Sequence, residues 1–154
     1  MTIEPAVPEE LKESLKPCPV DFHAAENLLR RARKDLDSAR LIGPSDSEEA
    51  YALIYNCMLH VGLAFMAVSG VRPEIRGKHK TVIRYMAHVL GKEYEDQIHL
   101  YERMRRKRHL LVYAPGSAES TQKEAEEAEK VAKGFLLAVT KRIRREHPQR
   151  EFGF

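Results

Sequence analysis

Two cysteines are all that this chain of 154 residues carries. Cys18 and Cys57 are far apart and have no partner spacing. That excludes a CxxC redox or zinc pair and a disulfide framework, and it predicts reduced thiols in a cytoplasmic protein. Uninterrupted apolar sequence is scarce too. The longest tract, residues 50–71, is broken by Asn56, His60 and Ser69, so it reads as a core helix and no membrane span is expected. The opening residues lack a charged segment followed by an apolar run, so no secretory signal is expected. Neither sign of charge dominates: 26 Lys and Arg face 23 Asp and Glu, a formal net charge of +3. This mild basicity falls short of the imbalance of a dedicated nucleic-acid protein. No stretch alternates in the manner of a strand, and no repeat of fixed period occurs. Phosphate-cradling GxxxxGK[ST] and GxGxxG motifs are missing, as are Ser/His/Asp and Cys/His patterns. The histidines at 23, 60, 79, 88, 99, 109 and 147 form no HxxxH or ExxH pair. No metal and no cofactor are therefore expected.

What is present is helical periodicity. Apolar residues make up 43 % of the chain, enough for the core of one domain. Pro5, Pro8, Pro17 and Pro19 mark residues 1–20 as an N-terminal arm with at most one short helix at 9–16. The domain proper is expected at 21–147 and a short tail at 148–154. A first long helix over 21–41 is capped by Asp21, shows an apolar face at Ala25, Leu28, Ala32, Leu36 and Ala39, and ends at Gly43-Pro44. A second runs from a capping box, Ser45-x-x-Glu48, to Ser69. It is apolar on more than one face, which predicts the central helix. Gly62 and Ala64 would let a neighbour approach closely. A loop over 71–80 leads to a third helix at 79–90 that stops at Gly91. A fourth spans 93–112 and ends before Pro115-Gly116. A second capping box, Thr121-x-x-Glu124, opens a fifth helix that runs to Glu146. The predicted fold is all-α, an antiparallel bundle of four to five helices.

The chemistry concentrates at the end of the fourth helix. Residues 101–113 read Tyr-Glu-Arg-Met-Arg-Arg-Lys-Arg-His-Leu-Leu-Val-Tyr. A helix C-terminus tolerates cations because its dipole end is negative, which accounts for some of these charges but not for the histidine and tyrosine among them. At about 100° per residue, Arg105 and His109 share a face. Arg108 and Tyr113 converge only near a fraying end, and Arg103 points away from His109. Spacing alone does not choose among the arginines. A guanidinium fork matches phosphate, and imidazole exchanges a proton near neutral pH. Arg105, Arg108, His109 and Tyr113 are therefore the candidate catalytic residues, with Arg106 and Lys107 as further phosphate contacts. Arg72, Arg76, Lys78, His79 and Lys80 form a second basic cluster. There Gly77 permits close backbone approach, and a helix start offers N–H groups to a phosphate. The bland alternatives are solvated basic ends and loops, a satisfied core histidine at position 60, and solvated charge at 124–129 and 141–145.

In helix order, in residues 50–73, in His79 opening the third helix and above all in Met-Arg-Arg-Lys-Arg-His-Leu-Leu-Val-Tyr at 104–113, residues 21–145 resemble the HEPN domains. These small helical proteins accompany minimal nucleotidyltransferases and occur in toxin–antitoxin and defence systems. Their motif is an arginine, often followed by a polar residue, with a histidine four to six residues on. Arg108 stands at the arginine, His109 at the polar residue and Tyr113 at the histidine. The other registration pairs Arg103 with His109. The resemblance implies a homodimer whose two motif segments line one cleft. It leaves three readings: a non-catalytic module binding RNA, a nucleotide or a nucleotidyltransferase-type partner; a metal-independent endoribonuclease using His109 with Arg105 or Arg108; and a plain helical scaffold. A tyrosine with a pKa near 10 is a poor neutral-pH base, which favours the first.

Overall fold

The computed structural model describes residues 7–116 and 118–153; the first six residues of the expected arm and the last residue of the tail lie outside them. In chain order come α1 (Glu9–Lys12), β1 (Leu15–Pro17), α2 (Phe22–Ile42), α3 (Ser47–Ser69), β2 (Val71–Pro73), α4 (Lys78–Leu90), a 3₁₀ turn (Lys92–Tyr94), α5 (Glu95–Tyr113) and α6 (Gln122–Glu146). The architecture is an all-α helical bundle, as the periodicity predicts.

Helix α3 lies at its centre and packs against α2, α4, α5 and α6. Fourteen of its residues are buried, on every face. By length and composition α3 would suffice to cross a membrane, but 67 % of its most apolar window is buried by neighbouring helices. Contacts set the directions of the rods. Asp35 on α2 meets His60 on α3, and the Asp21 amide donates to the Ala67 carbonyl at 3.0 Å, so α2 and α3 are antiparallel. Lys107 pairs with Glu124 and Tyr101 packs on Phe135, so α5 and α6 are antiparallel as well. Close approach of α4 to α3 depends on Gly62, where a Cβ would stand 2.4 Å from Val82 Cγ1.

Local capping follows the sequence with one correction. The Asp21 carboxylate accepts from the Ala24 amide at 2.9 Å, and Thr121 Oγ1 accepts from the Glu124 amide at 3.1 Å. The capping box expected at Ser45 and Glu48 is displaced by one residue. Asp46 is the cap and accepts from the Glu49 amide at 3.0 Å, while the Ser45 hydroxyl donates back to the Ile42 carbonyl. An ionised carboxylate outcompetes a hydroxyl for amides at the positive end of a helix.

Three further expectations are corrected, the absence of strands and the solvated reading of the charged runs at 141–145 and 124–129, and the expected tail gains a partner. The arm is tied down: β1 pairs with β2 antiparallel, Leu15 opposite Pro73 and Pro17 opposite Val71. Gly70, at φ 75°, turns the chain out of α3 and accepts from the Cys18 amide at 2.9 Å. Strands of three residues are too short to show alternation. The tail folds back on the start of α2, with Arg150 4.3 Å above the Phe22 ring and Phe152 5.9 Å from it. The basic end of α6 is not merely solvated. Arg142 donates to the Val89 carbonyl at 2.8 Å, satisfying a free acceptor in the last turn of α4, and lies 5.3 Å over Phe65. The acidic run at 124–129 is partly spent on ion pairs, Glu124 with Lys107 and Glu129 with Arg40 at 2.7 Å.

Tyr101 is fully buried, and its hydroxyl has no hydrogen-bond partner among the described residues. Tyr101→Phe should therefore stabilise the protein by about 1 kcal/mol, because it removes a desolvated, unpaired group. Urea unfolding of the two proteins measures this. A loss of stability would reveal a bound water on that oxygen.

Candidate phosphate site

The last turns of α5 lie against the first half of α3 and the start of α4. Helix α3 turns two tyrosines, one turn apart, toward the cationic end of α5. The Lys107 ammonium stands 5.0 Å over the Tyr51 ring, and the Arg108 guanidinium 5.8 Å over Tyr55. Cation–π attraction thus aligns two neighbouring α5 cations. From α4 comes His79, whose Nδ1 is 2.6 Å from the Tyr55 hydroxyl, with the two rings stacked at 5.7 Å.

These residues enclose a cavity of about 250 Å³ lined by Tyr55, His79, Arg105, Arg108, His109 and Tyr113. The four residues proposed from the end of the fourth helix are brought together, and one member of the second basic cluster joins them. The rest of that cluster stays outside the cavity. Arg72, opposite Lys16 in the sheet, is exposed, as are Arg76 and Lys80. Lys78 acts through its charge, as one of the groups that lower the pKa of His79. Arg106 points outward onto Glu102 at 3.3 Å, Lys107 is paired with Glu124, and exposed Arg103 is not in the lining. The registration pairing Arg103 with His109 therefore places no arginine in the cavity.

The two cavity arginines differ. Arg105 is engaged by Glu102, with Nη2 2.6 Å and Nε 3.1 Å from the carboxylate oxygens. Those hydrogen bonds hold the Glu102 carboxyl below its usual pKa and raise that of Arg105. Arg108 has no ion pair among the described residues, and its buried Nε has no acceptor. A buried guanidinium N–H without a partner is costly unless a ligand supplies the acceptor. Among the described residues no carboxylate lines the cavity. Spacing left Arg105 and Arg108 equivalent, whereas the unspent donor makes Arg108 the stronger anion ligand.

His79 is held neutral. Burial lowers its pKa first, and the charges of Arg108, Lys78 and Arg105 add to the effect. Hydrogen-bond counting then assigns its tautomer. The Tyr55 side chain is buried, its pKa is pushed up by burial, and its hydroxyl has no partner but His79 among the described residues. The hydroxyl hydrogen is satisfied only by donation to Nδ1, so the proton of neutral His79 sits on Nε2. His79 thus enters the site as an N–H donor through Nε2. His109 and Tyr113 are exposed at the rim, with rings 4.8 Å apart.

Tyr55 was missed in the sequence. The available signal was Tyr51 and Tyr55, four apart on an otherwise apolar helix, each with a polar tip that needs a partner when buried. Elsewhere His60 is satisfied by Asp35 at 2.8 Å, as a core histidine should be. Among the described residues no group of three or more His, Cys, Asp or Glu could hold a metal ion. Comparison with protein-family models, with curated proteins and with solved structures finds no match to this chain.

Proposed function

We propose that this chain is a HEPN-like module that binds RNA by taking a backbone phosphate into the cavity between Arg105, Arg108 and His79. The observation that carries this reading is the buried Nε of Arg108, without a partner among the described residues, in a cavity that they line with two arginines and no carboxylate. A phosphodiester supplies the missing acceptor and a compensating charge. The rim adds two exposed rings, His109 and Tyr113, that suit base stacking. A homodimer is part of the proposal. Leu110, Val112 and Tyr113 are 41, 44 and 68 % exposed beside the cavity, an apolar edge that a second copy would cover. A toxin–antitoxin or defence setting and a nucleotidyltransferase-type partner remain what the family resemblance implies.

Binding of a labelled single-stranded RNA should be salt-dependent, with a slope of about −0.7 per neutralised phosphate. In the same titration, the ring resonances of His79 and His109 should move, while those of His23 and His60, outside the cavity, should not. No binding at low salt, or shifts that spare His79, would overturn the proposal.

A second reading, a metal-independent endoribonuclease, draws on the His109–Tyr113 ring pair at the cavity mouth. There His109 would move the proton and Arg108 would stabilise charge on phosphorus. It requires RNA cleavage that persists in excess chelator and disappears in His109→Ala.

A further inference from the structure

The hydrogen bond between Tyr55 and His79 can reverse, and the cavity lies where an anion would drive the reversal. The Tyr55 hydroxyl donates to His79 Nδ1 at 2.6 Å. If Nδ1 gained a proton, it would become the donor, and the hydroxyl hydrogen would lose its acceptor. A buried hydroxyl hydrogen without an acceptor is penalised. The nearby cations, Arg105 and Arg108 from α5 and Lys78 from α4, oppose a further positive charge on His79. Glu102, the acid whose charge bears on Tyr55, is committed to Arg105 and Arg106. A bound anion changes each of these terms. Tyr55 and His79 both line the cavity, so the released hydroxyl can turn toward the anion, which also offsets the cationic surroundings.

We propose that entry of a phosphodiester into this cavity is coupled to uptake of one proton from solvent by Nδ1 of His79, with Tyr55 turning from donor to histidine into donor to the anion. This rests on the phosphate-site reading and adds its regulation: RNA is held more tightly as pH falls. The sign follows from linkage. The group binds its proton more tightly in the complex, so affinity rises as pH drops through the His79 pKa of the complex. It levels off below the lower His79 pKa of the free protein. Tyr55 is then a positioning residue. Its donated hydrogen bond adds to burial and the neighbouring cations in favouring the neutral histidine.

The test uses the full chain and a 2′-O-methylated oligouridine, which cannot be cut through its own 2′-hydroxyl and does not titrate between about pH 5 and pH 8. Affinity measured at fixed ionic strength should rise as pH falls, by at most about tenfold per pH unit. His79→Gln, which cannot titrate, should flatten that dependence, while His23→Gln, at an exposed position outside the cavity, should keep it. Tyr55→Phe removes the donor that favours neutral His79, so it should raise the free-state titration midpoint of the His79 ring and reduce the slope. Added oligouridine should raise the same midpoint in the wild type. An unchanged slope in His79→Gln, or an unmoved midpoint, overturns the coupling and leaves the RNA site standing. Failure of the wild type to bind the oligouridine at any pH overturns both.

Discussion

Reversing the charge at Arg108 should cost the protein its RNA. Arg108→Glu is expected to weaken binding by at least about a hundredfold, and Arg108→Lys by about tenfold. A charge-assisted hydrogen bond contributes about 1.5–3 kcal/mol, and each 1.4 kcal/mol is a factor of ten. Reversal also places a carboxylate where the phosphate would go, in a cavity that the described residues line without one. Lysine keeps the charge but loses the forked geometry and much of the planar stacking over Tyr55. Loss of folding is not the expected cause. Arg108 has no ion pair among the described residues, its Nε is buried without a partner, and Arg105 lines the same cavity. The glutamate variant should thus unfold within about 1 kcal/mol of the wild type. It should also let His79 titrate at higher pH, since the Arg108 charge is one of the causes of its lowered pKa. Fluorescence anisotropy with a labelled RNA, urea unfolding and the His79 ring resonance read the three outcomes separately. Binding within threefold of wild type in Arg108→Glu would place the RNA elsewhere.

The features legible in the sequence are those decided within one or two helical turns. Asp21 and Thr121 cap as expected because a cap needs only an oxygen and an amide three residues on. Position 46 shows the limit of that rule. Ser45 and Asp46 both satisfy it, and the choice depends on charge and on where the preceding helix releases its last carbonyls. The central place of α3 was legible because a helix apolar all round needs neighbours all round. The cavity was half legible. Arg105, Arg108, His109 and Tyr113 lie within nine residues of one another, so helix geometry groups them. His79 and Tyr55 come from two other helices, and the crossing of α4 over α3 brings them within 2.6 Å. In the local sequence of 71–80, His79 stands apart from Arg76, Lys78 and Lys80 as the residue expected to open the third helix, but nothing there places it beside Tyr55. Arg142 taught the same lesson from the other side. It sits in a basic run that reads as solvated, yet the nearby C-terminus of α4 gives it a carbonyl to hold.

The crossing of α4 over α3 rests on one missing methyl group, and restoring it should be among the most damaging small changes available. A Cβ on Gly62 would stand 2.4 Å from Val82 Cγ1 and 3.4 Å from Met86 Cγ. Neither neighbour is exposed, and Val82 is β-branched, so its rotamer is not free to yield. Alanine gains about 1 kcal/mol of helix propensity over glycine, whereas overpacking a tight core costs about 1–3 kcal/mol. At a 2.4 Å approach the cost falls at the upper end of that range, so Gly62→Ala should destabilise by about 2 kcal/mol net and Gly62→Leu by more than about 3 kcal/mol. The damage should reach the cavity, because pushing α4 away separates His79 from Tyr55. Even the folded fraction of Gly62→Ala should bind RNA more weakly. Two comparisons isolate the cause. Gly134 on α6 is exposed and would meet nothing within 4 Å, so Gly134→Ala should stabilise by about 0.5–1 kcal/mol. Val82→Ala in the Gly62→Ala background should recover part of the loss, because the clashing Cγ1 is gone, giving a double-mutant coupling of about 1 kcal/mol or more. Urea unfolding of the set decides it. If Gly62→Ala were as stabilising as Gly134→Ala, α4 would not lie where the Tyr55–His79 hydrogen bond requires it.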